Sequence, residues 1–446
     1  MKKIIIVFLT FSYSLLNAQG IFENSLNDVE KNKTTIDFSG YVRASAFGGG
    51  EDYDYSSIFG ETSIQGKFSN NNMYLFTEIE LRSGLQFNKT ENVIELTEAY
   101  VGYIGEKFDL LLGNQIVTWG RTDGFNPTNN ITPNDYFFLT AEPDDLKLSN
   151  FLVRIKYRIN SKIDLDLIAI PVYKPSVYRY DLFEMGENVS FSEPSLPDKT
   201  FENASLAARL NFEFSKIGFS ASYFRGYDSY FGFDVKSIDF LSGTPIITNS
   251  ATSYLKNTIG ADFALPINSW ILRGETAYNI SKDYKKFIYT PNPNIDYVIG
   301  VEHNFWGVTT ILQYIGKYNL DFNKLQLPVL DNPTDPLAQM QFAEDMIIYE
   351  STLFNRKTFY QQEESNHAVA LLLSKALAYD TWNIELAGYY NITSEELMIR
   401  PKVTWKITDA LATTVGGNYM KGPDNSIFAH SSPILNGVFL ELKAIF

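Results

Sequence analysis

The chain has 446 residues, 45% of them hydrophobic and 15% aromatic, with no cysteine and a formal net charge of −15. Such apolar and aromatic content excludes a disordered chain, and the lack of cysteine excludes disulfides, thiolate metal centres and lipid attachment through a cysteine. The acidity argues against nucleic acid as a partner.

Lys2 and Lys3 precede an apolar run from Ile4 to Leu16, and Asn17-Ala18-Gln19 follows. This is the layout of a secretory signal cut after Ala18; about 13 apolar residues fall short of the ~20 that a spanning helix needs. Residues 19–35 then read as a short polar periplasmic segment, and 36–446 as one domain.

Alternation governs that domain. In residues 73–82 the odd positions are mainly apolar, while Glu78, Glu80 and Arg82 hold even ones. Phe151, Val153, Ile155 and Tyr157 are set against Arg154, Lys156 and Arg158, and Asp164 and Asp166 answer them after a turn at Asn160-Ser161. The pattern recurs in 204–214 and in 397–406, the latter with Arg400, Lys402 and Lys406 on one side. At the end of the chain Leu440, Leu442, Ala444 and Phe446 oppose Glu441 and Lys443. A period of two belongs to strands; helices repeat their apolar residues every three to four.

Strands are predicted at 36–46, 58–68, 72–83, 93–104, 107–117, 150–159, 162–172, 202–213, 216–226, 254–265, 268–280, 295–305, 307–317, 365–378, 381–392, 396–406, 409–420 and 433–446. The count is eighteen, with sixteen as the alternative. The alternation slips in 93–104 and 365–378, which suggests a bulge in each. Odd-numbered connections are mostly long (47–57, 84–92, 118–149, 173–201, 227–253, 281–294, 318–364, 421–432), with 393–395 the exception. Even-numbered ones are tight, as at Gly105-Glu106, Trp306 and Tyr379-Asp380. An even count with short turns on one side and long loops on the other predicts an all-β fold, a transmembrane antiparallel β-barrel with periplasmic turns and extracellular loops. A soluble sandwich fits less well, because its strands usually run ~5–6 residues. Trp270, Trp382, Trp405, Phe151, Tyr157, Tyr278, Tyr390 and Phe446 fall at strand ends on the apolar parity, where interfacial girdles sit. The expected location is the outer membrane of a Gram-negative bacterium. Outer-membrane lipid is one expected partner, and the barrel-assembly machinery, through Phe446, another.

The inward row carries both signs in near balance, with Arg43, Arg82, Arg209 and Arg273 against Glu98, Asp109, Glu213, Glu275, Glu302 and Glu385. It reads as a cross-paired polar wall that either only holds the barrel together or guides a charged solute. Acidic residues in 318–364 favour cations weakly at the mouth, since exposed charges are screened within ~8 Å. The third long loop, 118–149, is the place to expect a constriction. Trp119, Phe125 and Tyr136 could pack it against the wall, while Arg121, Asp123 and Asp135 face the passage. The alternative is an outward surface loop with its own aromatic core.

Leu96-Thr97-Glu98-Ala99-Tyr100-Val101, Leu112-Gly113-Asn114-Gln115, Trp119-Gly120 and Asn126-Pro127 together resemble a little-characterised family of porin-like outer-membrane proteins with an E-A-Y, G-R-Q, W-G, N-P pattern. Asn114 departs from it, standing where that family has arginine. The similarity covers roughly residues 94–160 and implies an outer-membrane channel paired with an inner-membrane exporter; a looser one is to polysaccharide-export barrels.

Little points to enzymatic chemistry. His303, His367 and His430 read as interfacial or exposed residues, and no Gly-x-Ser-x-Gly elbow occurs. No cofactor is expected. Gly48-Gly49-Gly50 with Glu51, Asp52 and Asp54 has the composition of a calcium loop, although a plain flexible turn fits it better. A helix is predicted over Pro336–Tyr349, as a plug or a partner-binding face. The functional expectation is a porin-like channel for a small or polymeric solute, with selectivity set by the third long loop and the lumen charges. The alternative is a plugged barrel used for surface adhesion.

Overall fold

The structure, a computed structural model, describes residues 34–50, 56–183, 185–241 and 243–446. The expected signal at 1–18, nearly all of the segment 19–35, and Glu51, Asp52 and Asp54 lie outside the described residues.

The alternating segments form one sheet. Eighteen antiparallel strands pair in succession along the chain, and Thr35–Gly49 then pairs with Gly437–Ile445, which closes the ring. Gly40 and Phe446 complete that seam, each N–H donating to the other's carbonyl at 3.0 Å. Closure leaves no edge, which is a condition for strands in hydrocarbon. All eighteen expected strands are present, so the count of sixteen falls away.

Burial is inverted relative to a soluble protein. Leu440 and Leu442 are 52% and 45% exposed, whereas Glu441 between them is 3% exposed. Ile79 and Leu81 are likewise exposed while Arg82 is buried. An apolar exterior around a charged interior is stable only where lipid replaces water outside. Trp382 stacks on Trp405 at 5.2 Å, and Trp270 on His303 at 4.0 Å, all on the outward parity. Among the described residues no helix is long and apolar enough to cross a membrane.

Several expectations are corrected. A bulge does break Lys89–Ile104, where Thr97 is left over between the Glu78–Glu98 and Ile79–Leu96 pairs, but Ser365–Leu377 runs in unbroken register on both sides. The connection expected at 84–92 is a two-residue turn, Phe87 and Asn88, at φ 46 and 62. Phe87 is buried against Phe137, and this packing holds a residue that would otherwise avoid that conformation. The last strand starts at Gly437, because Ile427–Leu435 is helical, with Ser426 Oγ accepting from the Ala429 N–H at 3.1 Å. Gly48 and Gly49 belong to the first strand, and a Cβ on Gly49 would lie 1.7 Å from the Asn436 carbonyl oxygen.

The long connections build a cap at the extracellular end. Val189–Phe191, Gly232–Asp239 and Ile246–Thr252 form a separate three-stranded sheet. The helix expected at Pro336–Tyr349 continues to Thr358; Asp335 caps its start by accepting from the Leu337 N–H at 3.0 Å. Asn355 joins the helix to the small sheet, donating to the Phe233 carbonyl and accepting from the Phe233 N–H, both at 2.7 Å. Tyr178 and Tyr180 pack against both aromatic clusters of this cap.

Candidate functional site

The connection between Phe108–Gln115 and Asn150–Asn160 turns inward, because inward-facing side chains of the wall hold it from both sides. It has two lobes. At the neck, Thr132 Oγ1 accepts from the Val117 N–H at 3.1 Å and donates to the Val117 carbonyl at 2.7 Å, while Asn150 donates to the Ile131 carbonyl at 2.6 Å. Val117, Trp119 and Ile131 are buried there with Leu152, Ile168, Ile170, Ala207 and Phe224.

The first lobe crosses toward Trp270–Ser281. Trp119 donates its indole N–H to Asp166 at 3.3 Å, and Arg121 reaches Asp262 at 2.7 Å and Glu213 and Asn211 at 2.6 Å. Glu275 is the main fastening. One of its oxygens accepts from the Thr122 N–H at 2.7 Å and the Thr122 hydroxyl at 2.8 Å, and the other from the Thr128 hydroxyl at 2.9 Å. Gly120, at φ 111, lies so near that a Cβ there would sit 2.5 Å from Glu275 Oε1. Asp123 pairs with Arg273 at 2.9 Å, and Arg273 with Glu302 at 2.5 Å.

The second lobe lies against the seam. Asp145 pairs with Arg43 at 2.6 Å and accepts from the Thr140 hydroxyl at 2.7 Å. Arg43 also pairs with Glu61 at 2.6 Å, which in turn pairs with Arg82. Arg82 lies 3.7 Å from the ring centre of Phe138, a cation–π contact. Arg400 donates to the Thr140 carbonyl at 2.6 Å, and Lys402 bridges Glu142 at 3.2 Å and Glu385 at 2.9 Å. Among the described residues, no hydrogen bond or ion pair joins this loop to Val308–Asn319 or Ser365–Leu377.

The candidate residues have different surroundings. Trp119 is 2% exposed and acts as an anchor. Arg121 is spent on wall carboxylates, while Asp123 and Phe125 stay accessible. Asp135 accepts from the Phe137 N–H at 2.9 Å, and Tyr136 packs edge-on against Tyr178 and Tyr230; both belong to the cap side of the loop. In the wall, Arg154 takes Asp166 at 2.6 Å although Lys156 stands opposite it in register. Arg158 pairs with Asp109 at 2.5 Å instead of Asp164, and Asp164 accepts from Asn211 at 3.1 Å. Lys156 has no ion pair among the described residues. Arg400 and Lys402 hold the loop. Asp262, Glu142, Asp145, Thr140, Thr122 and Thr128 carry as much of the arrangement as any candidate. Parity places Asp262 in the lumen; the loop residues sit in a segment without periodicity and give no such signal.

No family model matches the sequence, and no curated protein sequence does. In fold the chain is similar to OccAB3 of Acinetobacter baumannii, at 8% identity and a TM-score of 0.53, covering 93% of this chain and 99% of that one. It is similar also to OccAB4 of the same organism, at 9% identity and a TM-score of 0.52, covering 94% and 99%. At such identity the likeness is one of fold: the protein is built as a porin-like β-barrel of the outer-membrane type.

Proposed function

We propose that the protein is an outer-membrane channel whose passage is narrowed by residues 116–149 and runs along the strands that this loop leaves untouched. The observation that carries this reading is the two-sided fastening of the loop, to Glu275 and Asp262 on one side and to Arg43, Arg400 and Lys402 on the other. Eighteen strands enclose a lumen wider than side chains alone fill, so an ordered loop across it sets the bore. The solute is small, because a bulky polymer would have to displace a loop held by several charge-assisted bonds. Most wall arginines already have carboxylate partners, which favours weak ion selectivity. Planar-bilayer recordings test the reading: the native barrel conducts, and replacing residues 120–130 by a short glycine–serine link raises the conductance severalfold. An unchanged conductance removes the constriction.

A plugged barrel that works through its surface is the second reading, and the aromatic cap over the extracellular end favours it. A correctly folded barrel that never conducts would establish that reading instead.

A further inference from the structure

The cap contains a cavity of about 370 Å³ that the channel reading does not use. It lies between the long helix Pro336–Thr358 and the three-stranded sheet, with walls of Phe191, Phe233, Ile247, Met346, Leu353 and Phe354. Its size is in the range of small-molecule sites, and its makeup matches theirs, mostly apolar with a few placed polar groups. Folding alone does not ask for this space. The cleft is partly open, so it keeps large apolar side chains in contact with water, and the Asn355–Phe233 clasp would hold the helix on the sheet without it.

The polar groups indicate what fits. Asn249, on the cavity wall, has its side-chain oxygen buried with no hydrogen-bond donor among the described residues. Lys357 gives one N–H to the Asn425 carbonyl at 2.9 Å and, among the described residues, has no carboxylate within 4.0 Å, which leaves donors to spare. Glu350 also lines the cavity, so the rim carries both signs and rewards no net charge. A hydroxyl both donates, as Asn249 requires, and accepts, as Lys357 requires. We propose that this cavity is an extracellular binding site for an uncharged, largely apolar small molecule bearing a hydroxyl group.

Photolabelling of the full-length barrel in lipid discs with a twelve-carbon diazirine alcohol tests the site. The expected result is saturable labelling of Met346, Leu353 and Phe354, competed by dodecanol at lower concentration than by dodecane. Ser351→Trp, which fills the space, cuts that labelling at least fivefold while labelling of the lipid-facing Leu440 and Leu442 stays constant, so probe partitioning into lipid is controlled internally. Asn249→Leu, which retains the apolar wall, abolishes the preference for the alcohol over the hydrocarbon. Labelling that does not saturate, or that Ser351→Trp leaves unchanged, overturns the proposal. Equal competition by alcohol and hydrocarbon in the native protein overturns the assigned ligand class. The readout does not involve conduction, so a barrel that fails to conduct leaves this test intact.

Discussion

Glu275 fastens the infolded loop through both carboxylate oxygens, and the bonds it accepts include two side-chain hydroxyls and a backbone N–H. Hydrogen bonds to a charged group are each worth about 1.5–3 kcal/mol, and removal of the acceptor strands all its donors at once. Glu275→Ala should therefore loosen the first lobe by roughly 3 kcal/mol, while the second lobe stays held by Arg43 and Lys402. Single-channel traces should then show frequent, brief excursions to a higher conductance level, and Glu275→Gln should restore part of the native behaviour. A quiet trace at the native level would mean that the lobe is held mainly by Trp119 and its buried neighbours. Gly120 shows why such a loop is hard to foresee. Its positive φ and its closeness to Glu275 are tertiary facts, and the sequence around it offers only Trp-Gly-Arg.

At the scale of elements, the strands were legible because one period of two runs through nearly all of them and each inward charge fixes the parity of its neighbours. The cap was not. The sequence predicts the last strand from 433, after a loop at 421–432, but Pro433, Ile434 and Leu435 form the end of the helix Ile427–Leu435 instead. Of the three short strands, Gly232–Asp239 and Ile246–Thr252 form a hairpin within one long loop, and Val189–Phe191 joins it from another loop. Asn355 is the clearest case, a polar helix residue only 1% exposed whose role depends wholly on Phe233 and is invisible to pattern. Asn355→Ala leaves the Phe233 N–H and carbonyl without partners, at a cost of about 1–3 kcal/mol for each buried group. The helix should then undock, and limited proteolysis should cut within 320–364 while the barrel stays whole.

The short helix carries a pH dependence of defined sign. His430 stacks on Phe183 at 5.7 Å and meets Phe354 edge-on, and burial, with Lys357 nearby, holds its pKa below the ordinary 6.5. The docked form thus binds a proton less readily than the undocked one. Docking is at full strength above pH 6.5 and weakens as the pH falls from there through the lowered value. Protection factors across 427–435, taken relative to the intrinsic exchange rate at each pH, should be high at pH 7.5 and lower near pH 5, and His430→Phe should flatten the difference. Protection that rises on acidification would reverse the sign and refute the account.

For the molecule as a whole, the governing fact is that alternate residues of each strand meet opposite solvents. Leu440 and Glu441 are adjacent, yet the first faces out of the barrel and the second sits inside it near Arg43. Replacing Leu440 by arginine moves a charge toward hydrocarbon, which costs up to about 2–4 kcal/mol at the bilayer midplane and less near an interface. Lys443, in the luminal row of the same strand, is a matched control. Its ammonium lies 4.2 Å from the Tyr41 ring centre, and it has no ion pair among the described residues. Lys443→Ala should therefore cost about 1 kcal/mol or less, the size of a cation–π contact at an accessible site. Both variants can be compared by reversible denaturation in lipid vesicles, with the mobility of unheated samples on detergent gels as the measure of folded barrel. A penalty for Leu440→Arg well above that for Lys443→Ala is expected. If the two were equal, or the luminal change cost more, the outer face of this strand would not be touching lipid, and the inside-out assignment of the whole barrel would have to be abandoned.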